Sequence, residues 1–205
     1  MEMVVAARDI LETAGPDALT MRRVAARLGI KEPSLYKHCR SRDELLAAVV
    51  ASGMRDLAEG RRRAVEPAMD AADALSRLAA HQREFAAGHP HLYRLMFDRP
   101  FPADLLADQA DAAAWRPVVE LLGSPERVWV AFAFAHGMLE LERTGRLRPG
   151  PRLETIWQVG IETFTALAGG RDAAEAGAAR ELRSYRALVS TLEETIRSFR
   201  AGSDE

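Results

Sequence analysis

Apolar positions recur along this chain at intervals of three and four residues, and no stretch alternates apolar with polar residues as a half-buried strand would. The pattern predicts an all-α protein. Val4, Ala7, Leu11 and Ala14, with Ile10 beside them, define a first helix over 3–14, closed by Gly15-Pro16. Val24, Ala25 and Leu28 share one face of a helix from Met21 to Leu28, with Thr20 placed to cap it and Gly29 just past its end. Ile30 is expected to return to the core. Pro33 suits the first turn of another short helix reaching His38, with Leu35 inward and Ser34, Tyr36, Lys37 and His38 outward. Ser41-x-x-Glu44 is a capping box. It starts a helix that runs through Leu45, Leu46, Val49, Val50 and Leu57 to about Val65, weakened by Gly53 and Gly60. Further helices are predicted at about 70–87, 91–97 and within 103–122, the last bent near Pro117. Two more follow, Val128–Glu142 after a Ser124 cap and Leu153–Ala168. Leu182, Tyr185, Val189, Leu192, Ile196 and Phe199 are spaced 3-4-3-4-3, which predicts an amphipathic helix at about 173–200 packed on the body.

Charge changes this picture in one place. Across all 205 residues the net charge is only −2. From Arg22 to Arg42, however, seven basic side chains (Arg22, Arg23, Arg27, Lys31, Lys37, Arg40, Arg42) face a single acid, Glu32. A small basic head on a mildly acidic body suits local contact with DNA phosphates better than non-specific coating. Two short helices joined by a Gly-containing turn make a helix-turn-helix, whose second helix enters the major groove. Spacing alone leaves a generic helical hairpin with a solvated basic face as the alternative. The run Arg61-Arg62-Arg63 reads as a solvated helix end that complements the negative terminus.

The residues go further than the spacing. The stretch LTMRRVAARLGI-KEP-SLYKH-C-RSRDELL closely resembles the N-terminal domain of the TetR family of bacterial transcription regulators over residues 3–50. It departs at Cys39, where the family usually has Phe; Cys39 is taken as a small core residue. Residues 89–168 contain HPHLYRLMFDRP, VWVAFAFAHGMLELERTGRLRP and IWQVGIETFTAL. They look like the regulatory domain of a TetR subgroup named for a Trp and a His-Gly pair. Here the pair is His136-Gly137, with Phe132 at the expected Trp position. The resemblance implies a three-helix DNA-binding domain at 1–50 and a helical regulatory and dimerisation domain at 51–205. It also implies a homodimer joined by a four-helix bundle. The candidate bundle helices are 125–144 and 153–168, with Gly137 and Gly160 allowing close approach.

The expected DNA-contacting set is Thr20, Arg22, Lys31, Pro33, Ser34, Tyr36, Lys37, His38 and Arg42. Ser34, Tyr36 and His38 are placed for bases or phosphates, and Thr20, Arg22, Lys31, Lys37 and Arg42 for phosphates. In the body an apolar effector pocket is expected from Phe85, Met96, Trp115, Phe132 and Met138, with Gln82 or His136 as polar anchor. A helical side-chain pair with Glu140 is an adequate account of His136. His81, His89 and His91 lack the spacing and acidic or thiolate partners of a zinc set. No catalytic motif, phosphate loop or cofactor signature is present. No run reaches the ~18 apolar residues of a membrane span. The single cysteine and the absence of a leader pattern imply a cytoplasmic protein. The reading is a dimeric regulator of a palindromic operator, a repressor released by a small apolar ligand. A regulator without a ligand and a small-molecule carrier or enzyme are the alternatives.

Overall fold

A computed structural model describes residues 2–98 and 108–169. The helix predicted at 173–200 and the start of the one predicted within 103–122 lie outside these residues. Among the described residues every regular element is helical: α1 (Glu2–Ala14), α2 (Met21–Arg27), α3 (Glu32–Leu35), α4 (Arg42–Val65), α5 (Ala71–Gly88), α6 (Pro90–Phe97), α7 (Asp108–Leu122), α8 (Pro125–Arg143) and α9 (Pro151–Gly169). A short 3-10 turn at Pro16–Ala18 separates α1 from α2. The described residues up to Thr165 form one compact unit.

Local chemistry sets the boundaries. Thr20, Ser41, Asp70 and Ser124 each accept a hydrogen bond from the backbone N–H three residues on, at the starts of α2, α4, α5 and α8. Glu44 reaches back from the first turn of α4 to the Arg40 N–H at 2.6 Å, which completes the capping box one residue earlier than the usual form. At the end of α2 the Gly29 N–H bonds to the Ala26 carbonyl and the Ile30 N–H to the Ala25 carbonyl, with Gly29 at φ 68°. This left-handed closure needs glycine. It also corrects the expectation for Ile30. The position serves the closure of α2, and the side chain is left 40% exposed instead of entering the core.

The core runs from the head into the body. Leu11, Leu19, Val24, Leu35, Leu45, Leu46, Val49 and Leu57 are fully buried, with Leu92 and Leu153 beyond them. Cys39 is buried at 2% exposure, as a small core residue should be. Helix α4 is the spine: it packs on α1, α5, α6 and α7. Its two glycines mark close crossings. A Cβ on Gly53 would lie 2.7 Å from the Met96 sulfur, and one on Gly60 would overlap the His81 ring. Bare backbone at these points lets α6 and α5 approach. The run at 61–63 divides in two. Arg62 and Arg63 are exposed and pair with Glu59, whereas Arg61 is buried at 3% exposure. The solvated-end reading therefore fails for Arg61, which points inward because its neighbours on α5 and α7 supply acceptors.

Candidate nucleic-acid interface and effector cavity

The head presents its polar residues from three short pieces. Thr20 caps α2, and Arg22 follows on its exposed face. The α-helical part of the second element is confined to Glu32–Leu35, shorter than the expected span of Pro33 to His38. Pro33 does sit in its first turn. Beyond it, the N–H groups of His38 and Cys39 both turn onto the Leu35 carbonyl, at 2.9 and 3.1 Å. That tightened end releases the chain toward the Ser41 cap. Cys39 supports the turn by donating its thiol to the Ser41 carbonyl at 3.1 Å, and burial pushes its pKa up.

With Leu35 inward, Lys31, Pro33, Tyr36, Lys37 and His38 are exposed or partly so, and Ser34 is half-buried. Tyr36 stands out at 46% exposure, high for an aromatic residue. Arg42 is placed differently from the rest of the expected set. Its guanidinium donates to the carbonyls of Leu19 at 2.8 Å and Pro16 at 2.9 Å. It thus ties the start of α4 to the turn before Thr20. Arg27 is paired with Asp9 of α1.

The body holds a cavity with about 590 Å³ of space unfilled by atoms, part of it continuous with solvent. Of the expected pocket residues, Gln82, Trp115 and Phe132 line it; Phe134, Trp157 and Phe164 complete an aromatic wall. Phe85, Met96 and Met138 are buried but do not line this cavity. Phe85 packs edge-on to His89, with ring centroids 5.2 Å apart, and Met96 lies against Gly53. His136 stacks on Phe132 at 5.4 Å just outside the lining.

Sequence reasoning missed Arg61 and Tyr93. Arg61 donates to the Ala114 carbonyl at 2.7 Å and to Gln82 Oε1 at 2.8 Å. Its guanidinium lies over the Trp115 ring, 4.6 Å from the centroid. Gln82 Nε2 in turn donates to the Tyr93 hydroxyl at 3.2 Å, and that hydroxyl meets His136 Nδ1 at 3.1 Å. His136 is therefore engaged by Tyr93, and Glu140 takes Arg143 as its hydrogen-bonded partner, so the expected helical His136–Glu140 pair is present as a weaker electrostatic interaction without a hydrogen bond. Burial pushes the Tyr93 hydroxyl up to about 12, so it is a neutral donor and acceptor.

Helices α8 and α9 carry an apolar outer face. Val130, Ala133, Gly137 and Leu141 recur at helical spacing on α8, with Val130 60% exposed, and Val159 of α9 is 56% exposed. Space beside Gly137 is open, while Gly160 is occupied by the Phe134 ring of its own chain. Gly160 thus serves α8–α9 packing within the chain.

A basic helix-turn-helix head leading by one long helix into a helical body with a cavity defines a DNA-binding transcriptional regulator. Comparison with known proteins narrows the class. Residues 4–49 match the model of the bacterial regulatory proteins of the tetR family, and residues 75–164 match that of the tetracyclin repressor-like C-terminal domain. A helix-turn-helix transcriptional regulator of Mycobacterium tuberculosis is 32% identical over 155 residues, 70% of this chain and 69% of that protein. The class A tetracycline repressor from transposon 1721 of Escherichia coli is 41% identical over 83 residues, 40% of this chain and 36% of that one. A solved structure from Rhodococcus sp. RHA1 superposes with a TM-score of 0.67 at 29% identity, covering 81% of this chain and 93% of that one. The fold is also that of a TetR variant from Acinetobacter baumannii in complex with minocycline, at a TM-score of 0.56 and 23% identity over 83% of this chain and 95% of that one. The chain belongs to the TetR family of transcriptional regulators. Among its described residues no helix is long and apolar enough to cross a membrane.

Proposed function

We propose that this regulator is a homodimeric repressor that leaves a palindromic operator when a small, largely apolar molecule enters the body cavity. The head, residues 1–50, is the reader. Ser34, Tyr36 and His38 face base edges or phosphates, and Thr20, Arg22, Lys31 and Lys37 bind phosphates, with Pro33 setting the entry of α3. Arg42 contributes by holding the turn at 16–19 in place. The body, from residue 51 on, holds the effector and dimerises through the outer faces of α8 and α9.

The observation that carries this reading is that one helix has both jobs at its two ends. Helix α4 is capped by Ser41, beside the exposed turn of 36–38, and near its other end inserts Arg61 into the cavity wall. An effector that binds better to the off-DNA arrangement of α4 shifts the population toward it. The test of the reader uses duplexes selected from random DNA by the wild-type protein. Tyr36→Ala and Lys37→Ala should each weaken binding in a gel shift. The lysine change should do so by about the same factor for every sequence, and should flatten the salt dependence by about one phosphate contact. Unchanged affinity in both variants at moderate salt would remove this turn as the reader.

A further inference from the structure

The polar end of the cavity has a fixed direction. A guanidinium only donates, so Arg61 compels Gln82 to present Oε1 to it, and the amide NH2 of Gln82 is left to face Tyr93. The Tyr93 oxygen therefore accepts from Gln82, and it lies 3.1 Å from His136 Nδ1, which ties α6 to α8. The wall elsewhere is apolar and largely aromatic, with Trp115, Phe132, Phe134, Trp157 and Phe164 contributing rings. The donor at the polar end, Arg61, is buried, and its guanidinium lies over the Trp115 ring.

From this geometry we infer that the effector class is an aromatic body bearing one carbonyl-type oxygen, which takes the place of Gln82 Oε1 on the Arg61 guanidinium. The inference rests on the cavity being the effector site and adds the chemistry of its occupant. Gln82 Oε1 and a ligand carbonyl are both sp² oxygens, and they compete for the same N–H. When the ligand oxygen arrives, Gln82 turns away, and its bond to Tyr93 on α6 is broken in the same step. Occupancy is thereby coupled to α4 through Arg61 and to α6 through Tyr93.

A shape-matched pair tests this: 2-acetylnaphthalene and 2-isopropenylnaphthalene differ by an oxygen against a methylene. In calorimetric titrations of the full-length protein the ketone should bind severalfold more tightly than the alkene, and in Gln82→Met, where no internal bond is given up, about tenfold or more, the scale of one hydrogen bond to a charged group. Gln82→Met removes the internal competitor, so the ketone should keep or gain affinity while the alkene changes little. Arg61→Met should abolish the preference; if that variant does not fold, the Gln82→Met titration decides alone. Equal binding of the two probes to the wild-type protein would overturn the oxygen assignment and leave the cavity as an apolar effector site. A ketone preference lost in Gln82→Met would make Gln82 the anchor and overturn the role of Arg61. Binding of neither probe would overturn the effector reading of the cavity together with this one.

Discussion

A methyl group on Gly60 has nowhere to go. The His81 ring already occupies the space, and both lie on packed helices. Gly60→Ala is expected to destabilise the fold by ~1–3 kcal/mol in urea denaturation, the usual cost of overpacking. Gly88→Ala, with nothing near its added Cβ, is the matched control and should be neutral or mildly stabilising. His81 itself makes stability depend on pH. Burial, and after it the charge of Arg61, lowers its pKa, and among the described residues its buried Nε2 has no hydrogen-bond partner to receive a proton's N–H. A depressed histidine costs nothing above its ordinary pKa of about 6.5. The cost appears as pH falls below that value toward the folded pKa, because only the unfolded chain takes up the proton freely. The melting temperature should therefore drop between about pH 7 and pH 5.5. His81→Gln should show a shallower drop, and an unchanged slope would assign the effect to other groups. Arg61 shows why such residues escape sequence reading. Its partners Gln82 and the Ala114 carbonyl are 21 and 53 positions away, and in a run of three arginines nothing local marks the inward one.

Among the elements, what was legible depended on whether the signal is local. The caps at Thr20, Ser41 and Ser124 act within three residues and could be read directly. So could Gly29, whose left-handed φ closes α2. The length of α3 was not legible, because it ends where the Leu35 carbonyl takes two N–H groups at once, a choice made by the chain's path to Ser41. Of the cavity, Gln82, Trp115 and Phe132 were found by residue type, while helix rotation decided that Phe85, Met96 and Met138 face other core. Helix α6 shows the same limit. His89 makes no side-chain cap for it. The Glu12 carboxylate of α1 instead accepts from the His91 N–H at 3.2 Å and the Leu92 N–H at 2.9 Å. A negative group at a helix start is favourable twice over, through hydrogen bonds and through the helix dipole. Glu12→Ala should cost ~1–3 kcal/mol and speed amide exchange at His91 and Leu92 ahead of the rest of the body. Glu12→Gln, which keeps an acceptor, should recover part of both. Equal exchange in Glu12→Ala and the wild type would mean that another group caps α6.

For the whole molecule, the outward apolar face of α8 and α9 is the surface that a second copy would cover under the proposed function. Val130→Glu combined with Val159→Glu places charge at its centre without touching the cavity lining. The double variant should sediment as a folded monomer and bind a palindromic duplex far more weakly, since one head then holds one half-site. A dimer that persists would move the interface elsewhere.

Helix α4 meets α6 at Gly53, where backbone and the Met96 and Leu92 side chains leave no slack. At ~1.5 Å per residue, Arg61 lies ~12 Å to one side of that crossing and Arg42 ~17 Å to the other. If α4 tilts about this crossing under the proposed function, its two arms are unequal. A rod tilting there would deliver a movement at the cavity to the head about 1.4 times larger and in the opposite sense. Two such rods related by a twofold axis would change the span between the heads by roughly three times what a ligand does at one cavity. Displacement of a side chain by about 1 Å would then be felt across the operator as a mismatch of nearly one base-pair rise.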